Sequence, residues 1–284
     1  MSAQPAILPQ TRSGRTFLIA TIALGLFGNV ARAQDQEAEW EALNDQTQAL
    51  MAAGEFGKAG DVARQALAVA EKNLDPNDPE LGKLLNNLAE VYRAQRRWAL
   101  AEPLYVRALA IVEKAYGQNS IRTAVCLNNL AFLYDAQDHN AQAAIYYQRA
   151  LKIAEDILPP NSLIVAASLH NLAEHYRHRG EYSPAEPLFQ RSLAIQEDQG
   201  ENSSSLFAIT LSDFGSLYCG TGDFAKAESF LHRALAIYEA DFDPNHPDVA
   251  LTLDGLAYLY RKTGRGKLAE TFEARSEAIR SIPR

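Results

Sequence analysis

The feature of this sequence that most constrains its fold is a phrase that returns every 42 residues. "LLNNLAEVY" begins at Leu84, "CLNNLAFLY" at Cys126 and "SLHNLAEHY" at Ser168. A fixed period of about 20–50 residues is the signature of a solenoid, a stack of similar units. One unit alone cannot bury its apolar face, so each must fit the unit before it.

Three series of side chains keep the same period. Tyrosines stand at Tyr92, Tyr134, Tyr176, Tyr218 and Tyr260. Alanines stand at Ala59, Ala101, Ala143, Ala185, Ala227 and Ala269. Small residues stand at Ala66, Ala108, Ala150, Ser192, Ala234 and Ser276. Small side chains let helices approach closely, and the bulky ones fill the adjacent space. The predicted repeats are residues 38–78, 79–120, 121–162, 163–204, 205–246 and 247–284.

Each copy has the pattern of two helices. In "LLNNLAEVY" and in "LAEPLYVRALAIVEKAY", apolar residues recur at steps of three and four, as on one helix face. Glycine suits the turn between them, because it adopts the left-handed conformation that ends a helix. That place is held by Gly54, Gly180, Gly222 and Gly264, and by Arg96 and Asp138 in the second and third copies. Asp78, Asn119 and Asn161 are N-cap candidates, and Pro79 and Pro247 suit a first helical turn.

These residues resemble the tetratricopeptide repeat. The resemblance is carried by Leu-Ala-x-x-Tyr in the first helix, as at Leu88 to Tyr92, and by an aromatic residue three places before an alanine in the second, as at Trp98 and Ala101. The phrases "LNNLA" and "NHPDVA" are similar to the kinesin light chain type of the repeat. Departures occur at Phe214 and Gly215, at Asn140 and at Gly266.

The resemblance covers the chain from about residue 38 onwards and implies an all-α fold. We expect a right-handed superhelical solenoid of about six helix-turn-helix hairpins. The family's concave groove, lined by the first helices, commonly binds extended peptides of partner proteins. The resemblance implies no catalysis, and no nucleophile motif, phosphate loop or H-E-x-x-H pattern stands in the sequence. No cofactor is expected.

The first 33 residues have the pattern of a secretory signal peptide. Arg12 and Arg15 precede the apolar run "TFLIATIALGLFGNV", and "ARA" ends at Ala33. A basic start, a short apolar middle and small residues at the cut are typical of such a leader. We expect cleavage after Ala33, leaving a solenoid at residues 34–284 in a periplasm or outside the cell. The alternative is an uncleaved anchor, but the apolar run is short for spanning a bilayer.

The charge of the chain argues against a nucleic-acid partner, and the positions of its two cysteines argue against a disulfide. The leader contains three of the 27 basic residues and none of the 35 acidic ones, so the mature chain has a net charge of −11. An acidic surface disfavours nucleic acid, whose binding requires basic patches. We expect no membrane-spanning helix in the mature chain. Cys126 and Cys219 should be free thiols, because they stand two repeats apart in a stack, beyond the reach of a disulfide.

Candidate binding residues follow from the register of the first helices. We expect exposed side chains in three series: Asn86, Asn128, His170, Ser212 and Asp254; one turn later Glu90, Phe132, Glu174, Ser216 and Tyr258; and, just after the tyrosines, Arg93, Asp135, Arg177, Cys219 and Arg261. Asparagine can pair with any peptide backbone, and arginine can hold a carboxylate through paired hydrogen bonds. The resemblance supports this role for Asn86, Asn128, Arg93 and Arg177. Alternatively, neighbouring asparagines such as Asn87 and Asn129 join helices to one another.

Two alternatives differ in class. His170, Glu174 and His178 are spaced four residues apart on one helix face, and with Asp135 from the neighbouring helix they would make a metal site. A solvated polar patch is the plainer interpretation, because the spacing matches no known site motif. The second alternative is a homo-oligomer, but the polar last helix "KLAETFEARSEAIRS" resembles a terminal cap. We therefore predict an exported scaffold for a protein or peptide partner, monomeric or weakly oligomeric.

Overall fold

The structure is a computed structural model that describes residues 37–201, 204–241 and 245–282. The leader predicted at residues 1–33 lies outside these ranges and stays a prediction. Within them the chain forms α-helices and no strand. The all-α prediction is therefore confirmed.

Twelve helices, arranged as six hairpins, make up the described residues. Odd-numbered helices are the first helices of the hairpins, and even-numbered helices are the second. They are α1 (Glu37–Ala52), α2 (Phe56–Asn73), α3 (Pro79–Ala94), α4 (Trp98–Tyr116), α5 (Ile121–Ala136), α6 (Asn140–Ile157), α7 (Leu163–His178), α8 (Tyr182–Asp198), α9 (Ser205–Thr221), α10 (Phe224–Asp241), α11 (Pro247–Lys262) and α12 (Gly266–Arg280).

The turn inside each hairpin contains one residue with a positive φ. At Gly54, Gly180, Gly222 and Gly264 this angle lies between 73° and 84°. Arg96 and Asp138 hold the same position with φ 59°. The left-handed conformation is unfavourable for a residue with a Cβ. We therefore attribute the turn geometry at Arg96 and Asp138 to the packing of the two helices.

The helix starts follow the capping prediction with one correction. The side chain of Asp78 accepts a hydrogen bond from the backbone N–H of Glu80 at 2.9 Å, and Pro79 opens α3. The prediction of Asn119 and Asn161 as caps is wrong by one residue. Ser120 and Ser162 cap α5 and α7 instead. In each case the serine adjoins the helix, and its hydroxyl reaches a backbone N–H of the first turn.

The small-residue series lie where the helices cross. All six alanines from Ala59 to Ala269 are 0% exposed. Each second helix packs against the first helix of the next repeat, which makes the stack continuous. Successive first helices also contact one another, whereas successive second helices share far less packing. The first helices therefore line the inner side of the curve.

The periodic tyrosines join each repeat to the one before it through their hydroxyl groups. Three of them donate to a glutamate 32 residues earlier, on the preceding second helix. These pairs are Tyr134–Glu102 (2.9 Å), Tyr218–Glu186 (2.7 Å) and Tyr260–Glu228 (2.8 Å). The hydroxyls of Tyr92 and Tyr176 instead accept from Arg64 and Gln148, which stand 28 residues earlier. The tyrosines thus fix the stacking as well as filling space.

Two further predictions concern the described helices. None of these helices combines the length and the apolar character needed to cross a bilayer. Cys126 and Cys219 are free thiols, as predicted. Burial raises the pKa of each thiol to about 12.

Candidate functional site

The inner surface carries a row of half-buried side chains that runs along the repeats. We call it the floor row; it consists of Glu90, Phe132, Glu174, Ser216 and Tyr258. Its members stand 42 residues apart, one on each first helix from α3 to α11. Exposure was predicted at these positions, and the structure leaves all five only partly exposed. Ser212 and Cys219, for which exposure was also predicted, are buried. The row consists of two carboxylates, two aromatic rings and one hydroxyl, so neighbouring repeats offer different chemistry.

Asparagines join the first three repeats across the inner surface. Asn87 donates to the side-chain oxygen of Asn44 at 2.6 Å, and Asn129 donates to that of Asn86 at 2.9 Å. Both contacts link a residue on one first helix with the residue 43 places later on the next. Asn128 and Asn171 have the same spacing, but Asn128 Oδ1 is buried and accepts no hydrogen bond within the described part of the chain. Asn86 is thus engaged between helices.

His170 was predicted to be exposed, and that prediction is wrong. The side chain is 4% exposed and lies between α7 and α9. Its Nε2 is 3.6 Å from Oδ2 of Asp213, and its Nδ1 is 3.2 Å from Oγ1 of Thr210. Phe189 covers it edge-on, with ring centroids 5.7 Å apart. The repeat pattern placed His170 on the inner face of α7, but α9 of the following repeat covers that face at His170.

A fully buried polar network surrounds His170. The side-chain amide of Gln196 donates to Ser192 Oγ at 3.1 Å and lies 3.3 Å from Thr210 Oγ1. Asp213, Gln196 and Thr210 are all 0% exposed. Where Gln196 stands, the earlier repeats have Ala70, Val112 and Ala154. At this position the junction between the fourth and fifth repeats therefore has a polar side chain where the three earlier junctions have an apolar one.

Arg93 was also predicted to be exposed, but it is 7% exposed. Its Nε donates to Glu90 at 2.9 Å, its Nη2 donates to the same carboxylate, and Tyr105 donates to Glu90 at 2.6 Å. The guanidinium also lies 4.5 Å from the ring centroid of Phe132. Burial acts to raise the pKa of Glu90, but the charge and hydrogen bonds of Arg93 outweigh it and lower that pKa.

The same arrangement occurs in the fourth repeat at Arg177. Exposure was predicted for this residue, but it is only 8% exposed. Its Nε and Nη2 donate to the carboxylate of Glu174 at 2.7 and 2.8 Å. His178 Nε2 lies 2.7 Å from the same carboxylate. Burial would raise the pKa of Glu174, but Arg177 and His178 bring it well below its ordinary value. Both arginines therefore already hold a carboxylate of their own helix.

Asp135 is 7% exposed and does not face the groove as predicted. Its Oδ1 lies 2.8 Å from Nδ1 of His175, so the pair joins α5 to α7. Arg261, by contrast, is exposed on α11 as predicted and donates to Glu273 at 2.5 Å. Burial of the residue after the tyrosine thus depends on a following repeat, which Arg261 lacks.

The residues proposed as a metal site are not brought together. His178 contacts Glu174, but His170 contacts Asp213, and Asp135 contacts His175. Across residues 37–201, 204–241 and 245–282, no group of three or more histidine, cysteine, aspartate or glutamate side chains is placed to hold a metal ion. The metal-site alternative is therefore not supported by the geometry.

Sequence reasoning missed Asp213, His175 and Tyr105, which position the candidate residues. One signal was present. Asp213 stands 43 residues after His170, the same spacing that links Asn86 with Asn129. Partner residues between repeats could therefore have been found by searching at the period plus one.

The comparisons agree with this architecture. The Tetratricopeptide repeat family profile matches residues 80–156, 146–198 and 206–281. No curated protein matches the chain in sequence. Among solved structures, BtubC (BKLC) from P. vanneervenii is similar, with 22% identity, a TM-score of 0.62 and coverage of 89% of this chain and 96% of that one.

Two further structures share the fold. The nearly identical TPR-like repeats of a Podosopora anserina kinesin light chain align with 19% identity and a TM-score of 0.60, covering 74% of this chain and 100% of that one. A Rap protein complexed with competence and sporulation factor aligns with 20% identity and a TM-score of 0.63, covering 87% and 77%. With the periodic helices and the matched residues together, this chain belongs to the tetratricopeptide repeat family.

Proposed function

We propose that this protein is an exported scaffold that binds an extended segment of a partner protein along its inner surface. The family supports a role in protein–protein interaction. The observation that carries the finer proposal is the floor row, five partly exposed side chains at one position on successive first helices. An extended segment fits such a row, because a strand-like chain can contact each repeat in turn.

The structure changes which residues should make that contact. Arg93 and Arg177 are paired with Glu90 and Glu174, so we assign them the role of orienting the floor row. Phe132 and Tyr258 offer aromatic surface, and Ser216, next to Tyr258 in the row, is its smallest side chain. We therefore propose that the partner's side chains contact Phe132 and Tyr258, while its backbone passes over Ser216.

A random-peptide display selection on the immobilised protein tests this proposal. Ser216→Trp fills the floor of the fifth repeat. Ser229→Trp makes the same change on α10 of the same repeat, at an exposed position of a second helix. Peptides selected on the wild type should lose at least about tenfold in affinity on Ser216→Trp, which corresponds to about 1.4 kcal/mol. Ser229→Trp should bind them as the wild type does.

Thermal unfolding of both variants shows whether each remains folded. Equal binding by Ser216→Trp and the wild type would place the contact surface elsewhere. A selection that enriches no peptide would contradict peptide binding as a whole.

The export proposal rests on the leader pattern at residues 1–33. It is tested by expressing the full chain in a bacterium and measuring the intact mass of the protein recovered from the periplasm and the medium. We expect a chain that begins at Gln34. Ala33→Asp should block processing, because cleavage requires a small residue at that place, whereas Arg32→Ala should leave it unchanged. A full-length cytoplasmic product in the wild type would refute export.

A further inference from the structure

Five ion pairs connect the second helices of successive repeats. Each joins a glutamate to an arginine 36 residues later on the next second helix. They are Glu71–Arg107 (2.5 Å), Glu113–Arg149 (2.6 Å), Glu155–Arg191, Glu197–Arg233 (2.8 Å) and Glu239–Arg275. We call this set the outer ladder. It has a rung at every junction between the six repeats.

The outer ladder spans a gap that backbone packing leaves open. Successive second helices share little packing, because the fold brings each of them against the following first helix. The first helices, in contrast, contact one another and are joined by buried pairs such as Asp135–His175. The inner side of the solenoid is therefore held by buried contacts, and the outer side by pairs that are partly exposed.

Exposure makes the two sides respond differently to salt. The side chains of the ladder arginines are between 36% and 47% exposed. Ion pairs of this kind are individually weak and are screened by salt. All five, however, oppose the same movement, in which successive second helices move apart while the first helices stay packed together. Loss of the ladder lets the outer side spread, which curves the solenoid more strongly.

We propose that the outer ladder sets the curvature of the solenoid, so that ionic strength controls the width of the inner surface. This inference goes beyond the proposed function, because curvature can be measured without any partner. Screening the ladder lets the second helices move apart while the first helices stay in contact.

The distance between two spin labels on second helices tests the proposal. Ala110 on α4 and Ala194 on α8 are exposed, hold equivalent positions and stand two repeats apart. Each is replaced by cysteine in the full chain and labelled. The native thiols stay unlabelled, because burial raises the pKa of both to about 12. A second label pair at Phe132 and Ser216 reports the inner side.

The test variant is Arg149→Gln with Arg191→Gln, which removes the two rungs between the outer labels. The matched control is Lys152→Gln with Arg179→Gln. It removes the same charge from pairs within one helix or turn, namely Lys152–Asp156 and Arg179–Glu181. A swapped pair, Glu113→Arg with Arg149→Glu, keeps a rung with its charges exchanged.

In the wild type and the control, the outer distance should lengthen from low salt to about 0.5–1 M NaCl, where the Debye length is only a few ångströms. The double variant should show the longer distance already at low salt and should not respond further. The swapped pair should restore the wild-type distance, and the inner distance should change least. An outer distance that neither salt nor Arg149→Gln with Arg191→Gln alters would overturn the proposal.

Discussion

At the scale of single residues, charged groups on the first helices are occupied within the protein itself. Arg93 and Arg177 each hold a glutamate three residues earlier on the same helix, and His175 holds Asp135 on the preceding first helix. Removing one partner of a buried ion pair leaves the other charge without compensation, which is costlier than never forming the pair. These residues should therefore contribute to stability first and to recognition through the surface they orient.

Glu174→Gln should make stability less dependent on pH in acid. The ordinary pKa of this carboxyl group is 4.5, and Arg177 and His178 hold it well below that value against the effect of burial. A carboxyl group with a lowered folded pKa stabilises the fold above its unfolded pKa, and the contribution disappears as pH falls through the folded pKa. Denaturant unfolding of the wild type should therefore lose free energy steadily below about pH 4.5.

The Glu174→Gln variant should have a smaller slope of unfolding free energy against pH in that window. At pH 7 it should be about 3–5 kcal/mol less stable than the wild type, since Arg177 then remains buried without its carboxylate. Glu41→Gln, at an exposed position of α1, is the control. Identical slopes for Glu174→Gln and the wild type would show that the pair does not couple folding to protons.

At the scale of the helix, packing explains where the chain departs from its own repeat. Gly215 replaces the alanine found at Ala89, Ala131, Ala173 and Ala257. A Cβ at Gly215 would lie 2.8 Å from Cγ of Leu231 on α10. Next to it, Phe214 stacks on Phe189 with ring centroids 5.6 Å apart. The extra volume of Phe214 is thus offset by the absence of a methyl group at Gly215.

Gly215→Ala should destabilise the protein by about 1–3 kcal/mol, the usual cost of inserting one carbon into a filled core. Because the conflict is with Leu231, the same substitution should cost less in a Leu231→Ala background. Chemical unfolding of the two single variants and the double variant gives this coupling free energy. If the two effects simply add, the clash with Leu231 is not the reason for glycine.

Arg96→Gly should stabilise the hairpin formed by α3 and α4. A residue with a Cβ loses about 1–2 kcal/mol in the left-handed conformation, and Arg96 has φ 59°. Glycine avoids this cost in the folded state, but it also gives the unfolded chain more conformational freedom, which offsets part of the gain. We therefore expect the unfolding free energy to rise by about 0.5–1 kcal/mol. Arg97→Gly, one residue later at φ −91°, should lose stability instead. A gain from both would point to the charge rather than to the backbone.

At the scale of the whole molecule, the last described repeat has a polar side chain where the other repeats stack. A leucine at one position of the second helices packs under the next repeat, at Leu67, Leu109, Leu151, Leu193 and Leu235. In α12 that position is Glu277, which is exposed. The outer ladder also stops, since Gln65 and Ser281 stand where a further arginine and glutamate would be. A second copy stacked on this end would have to bury a carboxylate without a partner.

We therefore expect the protein to sediment as a monomer and Glu277→Leu to associate in a concentration-dependent way. The leucine recreates the apolar contact that other repeats use for stacking. Glu270→Leu, an exposed glutamate elsewhere on α12, is the control for added surface hydrophobicity. Sedimentation velocity over a range of concentrations separates the three proteins. Association of the wild type itself would refute the capping role of α12.

The repeat, its two helices and its turn follow from the order of residues along the chain. The period of 42 residues places an alanine equivalent to Ala101 in all six units and a tyrosine equivalent to Tyr92 in five, with Leu50 in the first. It also places the turn, which is left-handed at the glycines and at Arg96 and Asp138 alike. These features are local or strictly periodic. They depend on the pattern of apolar residues over one or two helical turns, which a single chain displays directly.

Which polar residues remain accessible depends on how the repeats stack. His170 and Arg261 both occupy inner positions of first helices, yet His170 is buried beneath α9 and Arg261 is exposed. The difference lies in contacts with the following first helix, where Thr210 and Asp213, 40 and 43 residues later, lie against His170. Helical periodicity shows which face a side chain is on, but not what the next repeat brings against it, because that depends on how the hairpins stack.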